Sequence, residues 1–271
     1  MDLSVNVAIL SCNRGAYLRE AVASLFDQIK VPRKVFVFDN GSDESVAEAV
    51  RPWIESGQVL WRGSETNRGV HWNLARAFSQ GGEGSDCLYV MHDDDRLCPS
   101  FLERQTAFLA QNPCVVAVAC NAWEIDGEGR RMSGCLHNPK RREDREIFPD
   151  LPAMVRLYTK TFMAFPSVVY RSQAAARATV RADFGQLVDV VLLTEMARTG
   201  ALAYVNEVLW EYRVHGGQDS SSFRERDWLL LEGYYRERAR EFPELKFAVA
   251  AYLARRRLSR LWKRLRRRGR P

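Results

Sequence analysis

The first half of the chain alternates short apolar runs with segments of helical periodicity. The apolar runs, typical of strands covered on both faces, lie at 5–11, 34–39, 59–61 and 87–91. The segments between them carry apolar residues three or four positions apart, which predicts an amphipathic helix after each strand. This alternation predicts an α/β fold with a mostly parallel, doubly wound central sheet flanked by helices.

The second half has a less regular pattern. Apolar runs at 115–125, 167–170 and 203–212 predict strands, and the spacing over 190–198 predicts a helix. The stretch from 127 to 150 is polar, charged and rich in turn residues, so we expect a mobile excursion from the sheet. No internal repeat interrupts this order.

Charge is distributed unevenly along the chain. The net charge is +6, yet residues 245–271 hold eleven Lys and Arg and no acid, so the tail carries +11 and the rest −5. In the tail, apolar residues fall on one helical stripe, which predicts a basic amphipathic helix. They are Phe247, Ala251, Ala254, Leu258, Leu261, Trp262 and Leu265.

Composition limits the classes of protein that the chain can belong to. Its apolar content of 46% and charged content of 27% are ordinary for a soluble globular protein. No apolar run approaches the roughly 18 residues of a membrane span, and the start lacks the features of a signal peptide, so we expect a cytoplasmic protein. Six scattered cysteines without a CxxC pair predict reduced thiols, and Cys135 with His137 lacks the second pair of a zinc site.

Three adjacent carboxylates close the fourth predicted strand. In LYVMHDDD, residues 88–95, Asp93, Asp94 and Asp95 follow a buried run. In an extended backbone Asp93 and Asp95 would share one face and repel each other unless a hard divalent cation lay between them. The alternative is a polar turn with solvated acids before the helix that Pro99 opens.

Five motifs in order give the chain a resemblance to a known family. VAILSCNRGAYLREAVASLFDQ, VFVFDNGSDES, NRGVHWNLARAF, YVMHDDDRL and YRVHGGQDS make it similar, over about 5–222, to glycosyltransferase family 2, the inverting enzymes of GT-A fold. The resemblance implies a nucleoside-diphosphate-sugar donor held through an Asp-x-Asp motif and Mn²⁺ or Mg²⁺. It makes Asp95 the direct metal ligand, places Asp93 nearer the ribose and makes Asp94 part of the same clamp. Asp93 and His215 are the further metal ligands that it implies.

The same resemblance assigns nucleotide-binding roles at the other strand ends. Asp39 would accept the imide N–H of uracil or thymine, or would be a turn acid before a helix. A flexible loop would bring His215 to the diphosphate, although a structural His is the alternative. The remaining residues that it places around the nucleotide are Ser11, Asn13, Arg14, Asn67, Arg68, Gly69 and Asn73. For Arg14 and Asn73 a solvent-facing side chain is the alternative.

The resemblance also implies a general base that takes the proton of the acceptor hydroxyl. Family members carry an acid–Asp pair at the start of a helix, and Leu187-Val188-Asp189-Val190 has that setting. Asp189 is therefore the predicted base, although Val188 replaces the first acid of the pair. Asp183 and Glu195 are competitors, and an N-cap role is the alternative for Asp189.

Two departures narrow the expected activity. The QxxRW motif of processive synthases is absent, and so are membrane spans, so we expect one or a few sugars to be added, in assembly of a cell-surface glycan such as lipopolysaccharide, O-antigen or capsule. The expected division is 1–125 for nucleotide-sugar binding, 126–225 for acceptor binding and catalysis, and 226–271 for the C-terminal helices.

The basic tail predicts binding to a membrane, and two functions other than sugar transfer are alternatives. A basic amphipathic helix suits an anionic membrane surface and a lipid-linked acceptor. Nucleic acid is not expected, because aromatic residues do not interleave the basic ones; a solubilising or dimerising helix is the other alternative. A sugar-nucleotide-forming nucleotidyltransferase would need a Gly-rich phosphate loop that SCNRGAYL lacks. A non-catalytic nucleotide-binding or scaffold protein would bind the donor without turnover.

Overall fold

A computed structural model describes residues 2–218 and 223–268, with the backbone alone at residue 141 and from residue 263 onward. The last residues of the motif YRVHGGQDS, Asp219 and Ser220, lie outside this part of the chain. The side chain of Leu265, the last member of the predicted tail stripe, lies outside it as well.

One sheet runs through the described residues. Its order is β3-β2-β1-β4-β9-β6-β10-β5, with β7 added beside β6 and β8 beside β10. The strands are β1 (Val5–Ser11), β2 (Lys34–Asp39), β3 (Val59–Arg62), β4 (Cys87–His92), β5 (Arg96–Leu97), β6 (Val115–Ile125), β7 (Arg131–Cys135), β8 (Arg145–Phe148), β9 (Val169–Arg171) and β10 (Ala201–Arg213). Strands β3, β2, β1 and β4 are parallel, as are β6 and β10, while the other pairs are antiparallel.

Helices cover both faces of this sheet. They are α1 (Gly15–Phe26), α2 (Glu44–Ala49), α3 (Arg51–Glu55), α4 (Val70–Gln80), α5 (Phe101–Gln111), α6 (Leu151–Tyr158), α7 (Ser172–Arg177), α8 (Val188–Met196), α9 (Glu225–Glu241) and α10 (Lys246–Arg268). The predicted α/β class, with a mostly parallel sheet flanked by helices and a basic helix at the C-terminus, is confirmed. None of the helices in the described ranges combines the length and apolar character needed to span a bilayer.

The apolar runs of the first strands are buried on both sides because each face packs in its own core. In β1, Ala8 and Leu10 belong to one cluster while Val7 and Ile9 belong to the other. The first cluster packs against the helices that include α4, α8 and α9, and the second against α1 and α5. Alternation of side chains across a strand thus explains why these runs show no polar positions.

Two sequence predictions about local structure are wrong. The stretch from 127 to 150 is not a free excursion, since β7 pairs with β6 and β8 pairs with β10. These strands leave most of their side chains accessible, so no apolar alternation marks them. The segment after β2, for which the periodicity predicts one amphipathic helix, contains two helices separated at Val50, because Pro52 lacks an amide hydrogen and cannot continue a helix.

The C-terminal helix packs on the body with one face only. Val249 and Tyr252 are buried, and Arg260 pairs at 3.0 Å with Glu232 of α9, a carboxylate that is 1% exposed. On the opposite face Phe247, Leu258, Leu261 and Trp262 are exposed. The stripe predicted from the sequence is therefore the outward face of α10.

Candidate active site

The pairing register brings the ends of three strands to one edge of the sheet. Ser11 of β1 lies beside Asp39 of β2, and Leu10 lies beside His92 of β4. The chain continues to β2 and β3 on one side of β1 and returns to β4 on the other, so the order of strands reverses at this point. Loops diverge there and leave a crevice, which is where open α/β sheets bind ligands.

A cavity of about 520 Å³ occupies this crevice. Seven residues that were predicted to bind the nucleotide or metal line it: Ser11, Asn13, Arg14, Asn67, Gly69, Asn73 and His215. The prediction missed Cys12, Tyr17, Asn40, His92, Gln186 and Gly217, which also line it. Asn40 carried a signal, because it directly follows the strand-end acid Asp39, whereas Gln186 lies far along the chain in a segment without a motif.

Backbone geometry fixes the two loops beside the nucleotide positions. Gly41 has φ +72°, and a Cβ there would lie 2.3 Å from the backbone of Thr66 and Asn67, so only glycine allows this approach. Asn40 accepts from the Arg68 amide at 2.9 Å and donates to the Asn67 side chain at 3.0 Å. The loop that carries Asn67, Arg68 and Gly69 is thereby held against the end of β2.

The predicted residues Asp39, Arg68 and Asn73 occupy supporting positions around the cavity. Asp39 is buried and accepts from the Ser42 amide at 3.0 Å and from its hydroxyl. The Asn73 amide donates to the Phe38 carbonyl at 2.6 Å, and the Arg68 guanidinium lies 4.4 Å from the Trp72 ring centroid. Asn73 is therefore buried rather than solvent-facing, while Arg68 contributes its backbone to the loop and stacks its side chain outside the cavity wall.

The acidic triplet is a turn, not an extension of β4. The strand ends at His92 and residues 93–94 form a turn, so the expected alternation of Asp93 and Asp95 on one strand face is wrong. Three tandem acids followed by Arg96 could not reveal this turn, because its conformation depends on contacts with distant residues. Arg14 and Arg213 supply those contacts.

Arg14 pairs with two of the three acids. Its guanidinium lies 2.8 Å from Asp93 Oδ1 and 3.0 Å from Asp94 Oδ2. The Cys12 amide also donates to Asp93 at 3.1 Å. Burial nevertheless raises the pKa of Asp93 to about 7, because the side chain is cut off from water. Arg14 thus has a defined partner and is not a freely solvated charge.

Arg213 stabilises the acidic turn through hydrogen bonds to Asp94 and Asp95. Its side chain is fully buried and donates from Nε to the Asp94 carbonyl at 2.7 Å, while its amide donates to Asp95 Oδ1 at 3.0 Å. The guanidinium also pairs with Glu20 at 2.6 Å and stacks 4.4 Å from the Tyr17 ring centroid. Arg213 was not among the predicted site residues, although it stands two residues before His215 in the same motif.

The pKa values of Asp94 and Asp95 are shifted in opposite directions because the two carboxyls have different partners. Burial alone would raise the pKa of Asp94, but its interactions with His92, Arg14 and His215 hold that pKa below its ordinary value. Burial and the neighbouring Asp94 charge raise the pKa of Asp95 well above its ordinary value. Its Oδ2 is buried and has no hydrogen-bond partner among the described residues.

His92, Asp94 and Asp95 form a group that fits a divalent cation. One ligand atom from each residue lies within 4.8 Å of the others. Asp95 also has a buried Oδ2 that no hydrogen bond from the described residues satisfies. Carboxylate oxygens are the ligands that Mg²⁺ and Mn²⁺ prefer, and a cation would offset the mutual repulsion of the acids. Of the three predicted ligands this group contains Asp95, whereas Asp93 is paired with Arg14.

His215 contacts the acidic turn through its imidazole. Its Nε2 lies 3.0 Å from Asp94 Oδ2, and the Gly217 amide donates to its Nδ1 at 3.2 Å. Because Nδ1 accepts this bond, Nε2 carries the hydrogen and donates to Asp94. The predicted ligand His215 is thus a partner of Asp94 in this structure.

Asp189 lies in the wall of a second cavity, of about 810 Å³, which shares Leu10, Arg14, Val70, His92 and Gln186 with the first. Asp189 stands in the first turn of α8, whose N-cap is Leu187, so the N-cap alternative is wrong. Its carboxylate accepts from the Val190 amide at 2.8 Å, and burial raises its pKa to about 6.

The two competing candidates for the base, Asp183 and Glu195, lie outside the walls of both cavities. Asp183 is exposed and pairs with Arg181 at 2.6 Å. Glu195 accepts from the Tyr234 hydroxyl at 2.7 Å and pairs with Arg198 at 2.7 Å. Neither belongs to the wall of the two cavities, so Asp189 is the carboxylate of the three that faces them.

Solved structures with the same fold include two sugar-nucleotide complexes. Residues 1–349 of TarS from S. aureus, in complex with UDP-GlcNAc, match at 16% identity and TM-score 0.67, over 93% of this chain and 72% of that one. The mannosyltransferase from Pyrobaculum calidifontis, in complex with GDP-Man and Mn²⁺, matches at 17% identity and TM-score 0.65, over 93% and 69%. These likenesses establish the GT-A fold.

Sequence comparison gives one curated relative and the family itself. An uncharacterized protein of Mycobacterium tuberculosis is 26% identical over 207 residues, which is 74% of this chain and 64% of that protein. The chain thus spans less than two thirds of the length of this relative. The model of the family described as Glycosyl transferase family 2 matches residues 6–176. The chain belongs to glycosyl transferase family 2.

Proposed function

We propose that the protein moves a sugar from a UDP- or dTDP-sugar to a hydroxyl acceptor, with inversion at the anomeric carbon and with Mn²⁺ or Mg²⁺. The observation that carries this proposal is the continuity of the two cavities: predicted nucleotide residues line one, Asp189 lines the other, and His92 and Arg14 line both. The sugar-nucleotide complexes of TarS and the mannosyltransferase support the choice of donor class.

Each part of the site has a defined task in this proposal. The loops after β1 and β3 hold the nucleoside, and Asp39 at the end of β2 would accept the imide N–H of the base with a lone pair that Ser42 does not use. His92, Asp94 and Asp95 would hold the divalent cation, with Asp93 and His215 completing the surroundings of the diphosphate. When bound, the cation supplies charge stabilisation for the departing diphosphate. Arg14 fixes the carboxylates of the turn and adds a positive charge beside the same position.

Asp189 is the general base in this scheme. A carboxylate with a pKa of about 6 is ionised at neutral pH and accepts a proton more readily than an ordinary Asp. It takes the proton of the acceptor hydroxyl as the oxygen attacks the anomeric carbon, and the bond to the diphosphate breaks. Attack from the side opposite the leaving group inverts the configuration.

The cellular setting follows from the outward face of α10. Exposed Phe247, Leu258, Leu261 and Trp262, flanked by exposed Arg255 and Arg257, suit insertion at the surface of an anionic bilayer. We infer a cytoplasmic protein that binds peripherally to the inner face of the plasma membrane. Its task there would be assembly of a cell-surface glycan, such as lipopolysaccharide, O-antigen or capsule. The boundaries 1–125, 126–225 and 226–271 stay a prediction.

The metal assignment is tested with Asp95→Ala. In the wild type, UDP with Mn²⁺ should raise the melting temperature more than UDP alone. The variant should lose this metal-dependent increase, because the buried oxygen without a hydrogen-bond partner is removed while the Arg14 pairs remain. Asp183→Ala, which changes an exposed acid outside both cavities, is the control. A metal-dependent shift of wild-type size in Asp95→Ala would contradict the assignment.

A further inference from the structure

No ligand has yet been assigned to the 810 Å³ cavity, in whose wall Asp189 lies. A cavity of this size is in the range that buries most of a small ligand. Its walls run from the strand ends shared with the nucleotide cavity to Tyr252, Arg255, Arg256 and Ser259 of α10. It therefore joins the transfer site to the helix whose outer face is apolar and basic.

The walls of this cavity are mostly apolar and carry two buried hydroxyls without a partner. The apolar and aromatic residues in the wall include Phe162, Met163, Phe165, Phe223, Trp228 and Leu231. Tyr235 and Tyr252 also line the cavity. Neither hydroxyl has a hydrogen-bond partner among the described residues, and the side chain of Tyr235 is fully buried. A buried hydroxyl without a partner costs free energy unless a bound molecule satisfies it. The combination suits an amphipathic ligand.

The α10 end of the cavity is basic. Lys160 and Arg255 are exposed there. Arg255 donates to the carbonyl of Thr159, the residue before Lys160, at 2.5 Å, so the two cationic residues lie close together. Arg256 stacks 4.3 Å from the Trp228 ring centroid and lies 3.8 Å from Glu232. Glu232 is the acid that faces this group, and its nearer partner is Arg260 at 3.0 Å. Lys160 and Arg255 remain available to an anion.

We propose that this cavity binds the acceptor, and that the acceptor is a sugar carried on a lipid through a phosphate or diphosphate. The sugar hydroxyl lies toward Asp189, the phosphate contacts Lys160 and Arg255, and the first apolar segment of the lipid packs on Phe223 and Trp228. The rest of the chain stays in the membrane beside the outer face of α10. This assignment rests on the proposed transferase function and names the class of its acceptor.

Binding of farnesyl diphosphate, measured by calorimetry below its micellar concentration, tests the proposal. Methyl diphosphate and farnesol present the two halves of the probe, and saturating UDP with Mn²⁺ keeps the nucleotide cavity filled. Farnesyl diphosphate should bind at least about tenfold more tightly than methyl diphosphate, because several methylene groups become buried. Farnesol should also bind more weakly than the complete probe, because it lacks the anion.

Substitutions of exposed residues test the contacts with the diphosphate and with the farnesyl chain separately, without disturbing the protein core. Arg255→Gln combined with Lys160→Gln should weaken farnesyl diphosphate binding about tenfold. Arg257→Gln is the matched control, because Arg257 is an exposed cation on the same helix outside the cavity wall. Phe223→Ala should weaken farnesyl diphosphate but leave methyl diphosphate unchanged, with Phe247→Ala as its control.

Equal affinity for methyl and farnesyl diphosphate would overturn the proposal, and so would an effect of Arg257→Gln as large as that of the Arg255 and Lys160 variant. The thermal shift with UDP and Mn²⁺ reports on the proposed function separately. If that shift is present and the probe does not bind, the acceptor class alone is wrong. If the shift is absent, the proposed function fails, and the responses of Phe223→Ala and of the Arg255 and Lys160 variant still decide whether the cavity takes an anionic lipid.

Discussion

At the scale of single residues, the site depends on buried charges whose partners come from distant parts of the chain. Arg14, just before α1, pairs with Asp93 and Asp94, and Arg213 at the end of β10 donates to both Asp94 and Asp95. Removing one partner of such a buried group typically costs several kcal/mol, because the other charge is left uncompensated. The acids therefore keep one geometry, as a site for a cation and a diphosphate requires.

Asp189→Asn tests the assignment of the base. The change keeps the size of the side chain but removes its basicity, so the transfer rate should fall by about 10²–10⁴-fold. Affinity for UDP should change little, because the residues that line the nucleotide cavity are untouched. Single-turnover transfer by Asp189→Asn, Asp183→Asn and Glu195→Gln under one set of conditions measures this. A normal rate for Asp189→Asn beside a collapse in either other variant would assign the base elsewhere.

The pH dependence of the wild type gives a second test of the same residue. Burial raises the pKa of Asp189 to about 6, and the base acts as the ionised carboxylate. The rate of the chemical step should therefore be low below pH 6, rise as pH increases through about 6 and stay level above about 7. A rate that is already level down to pH 4.5 would mean that the group accepting the proton has an ordinary or lowered pKa.

At the scale of elements, the predictability of the fold follows the burial of each element. Strands β1, β2 and β6 were bounded correctly because they are buried on both faces and show continuous apolar runs. Strands β7 and β8 were missed because their side chains are mostly accessible and their stability comes from backbone pairing with β6 and β10. Backbone pairing leaves no periodic trace in the sequence.

The residues of the candidate site also differ in how far the sequence could predict them. Residues that end a strand, such as Ser11 and Asp39, or that directly follow one, such as the acidic triplet, could be predicted because the ends of parallel strands share one edge. The partners of those residues could not, since the contact between Arg213 and the turn joins positions about 120 apart in the sequence. His92, which the prediction from sequence missed, lies in the group that fits a cation.

The outward face of α10 gives a prediction about membrane binding. Leu258→Ser with Leu261→Ser should reduce sedimentation with liposomes rich in anionic lipid, because two apolar groups leave the interface. Binding of the wild type should weaken as salt increases, since basic residues near the surface contribute about 1 kcal/mol each. These variants are preferable to deleting residues 258–271, because the deletion also removes the pair between Arg260 and Glu232.

The matched control is Val31→Ser, which changes an exposed apolar residue outside α10. Liposomes of neutral lipid provide the second control. Unchanged sedimentation of the Leu258 and Leu261 variant, or equal binding to neutral and anionic liposomes, would contradict membrane binding through this face.

At the scale of the whole molecule, the sheet and the C-terminal helices form one continuous path. The nucleotide cavity lies where the strand order reverses at β1 and β4, the cavity beside it contains Asp189, and α10 closes the far wall. In the account given above, donor, cation, base and acceptor meet along this path. A protein that only bound nucleotides would have no need for a carboxylate facing a second cavity.

Turnover of a labelled sugar nucleotide shows whether the protein cleaves such a donor and whether cleavage depends on the metal and on Asp95. A panel of UDP-, dTDP- and GDP-sugars is incubated with the wild type and with Asp95→Ala, with Mn²⁺ and with a chelator, and release of nucleoside diphosphate is measured. We expect release of nucleoside diphosphate from a UDP- or dTDP-sugar, and this release should need Mn²⁺ or Mg²⁺ and be lost in Asp95→Ala. Nucleotide binding with no release from any donor, or release that is equal with the chelator and in the variant, would contradict this expectation.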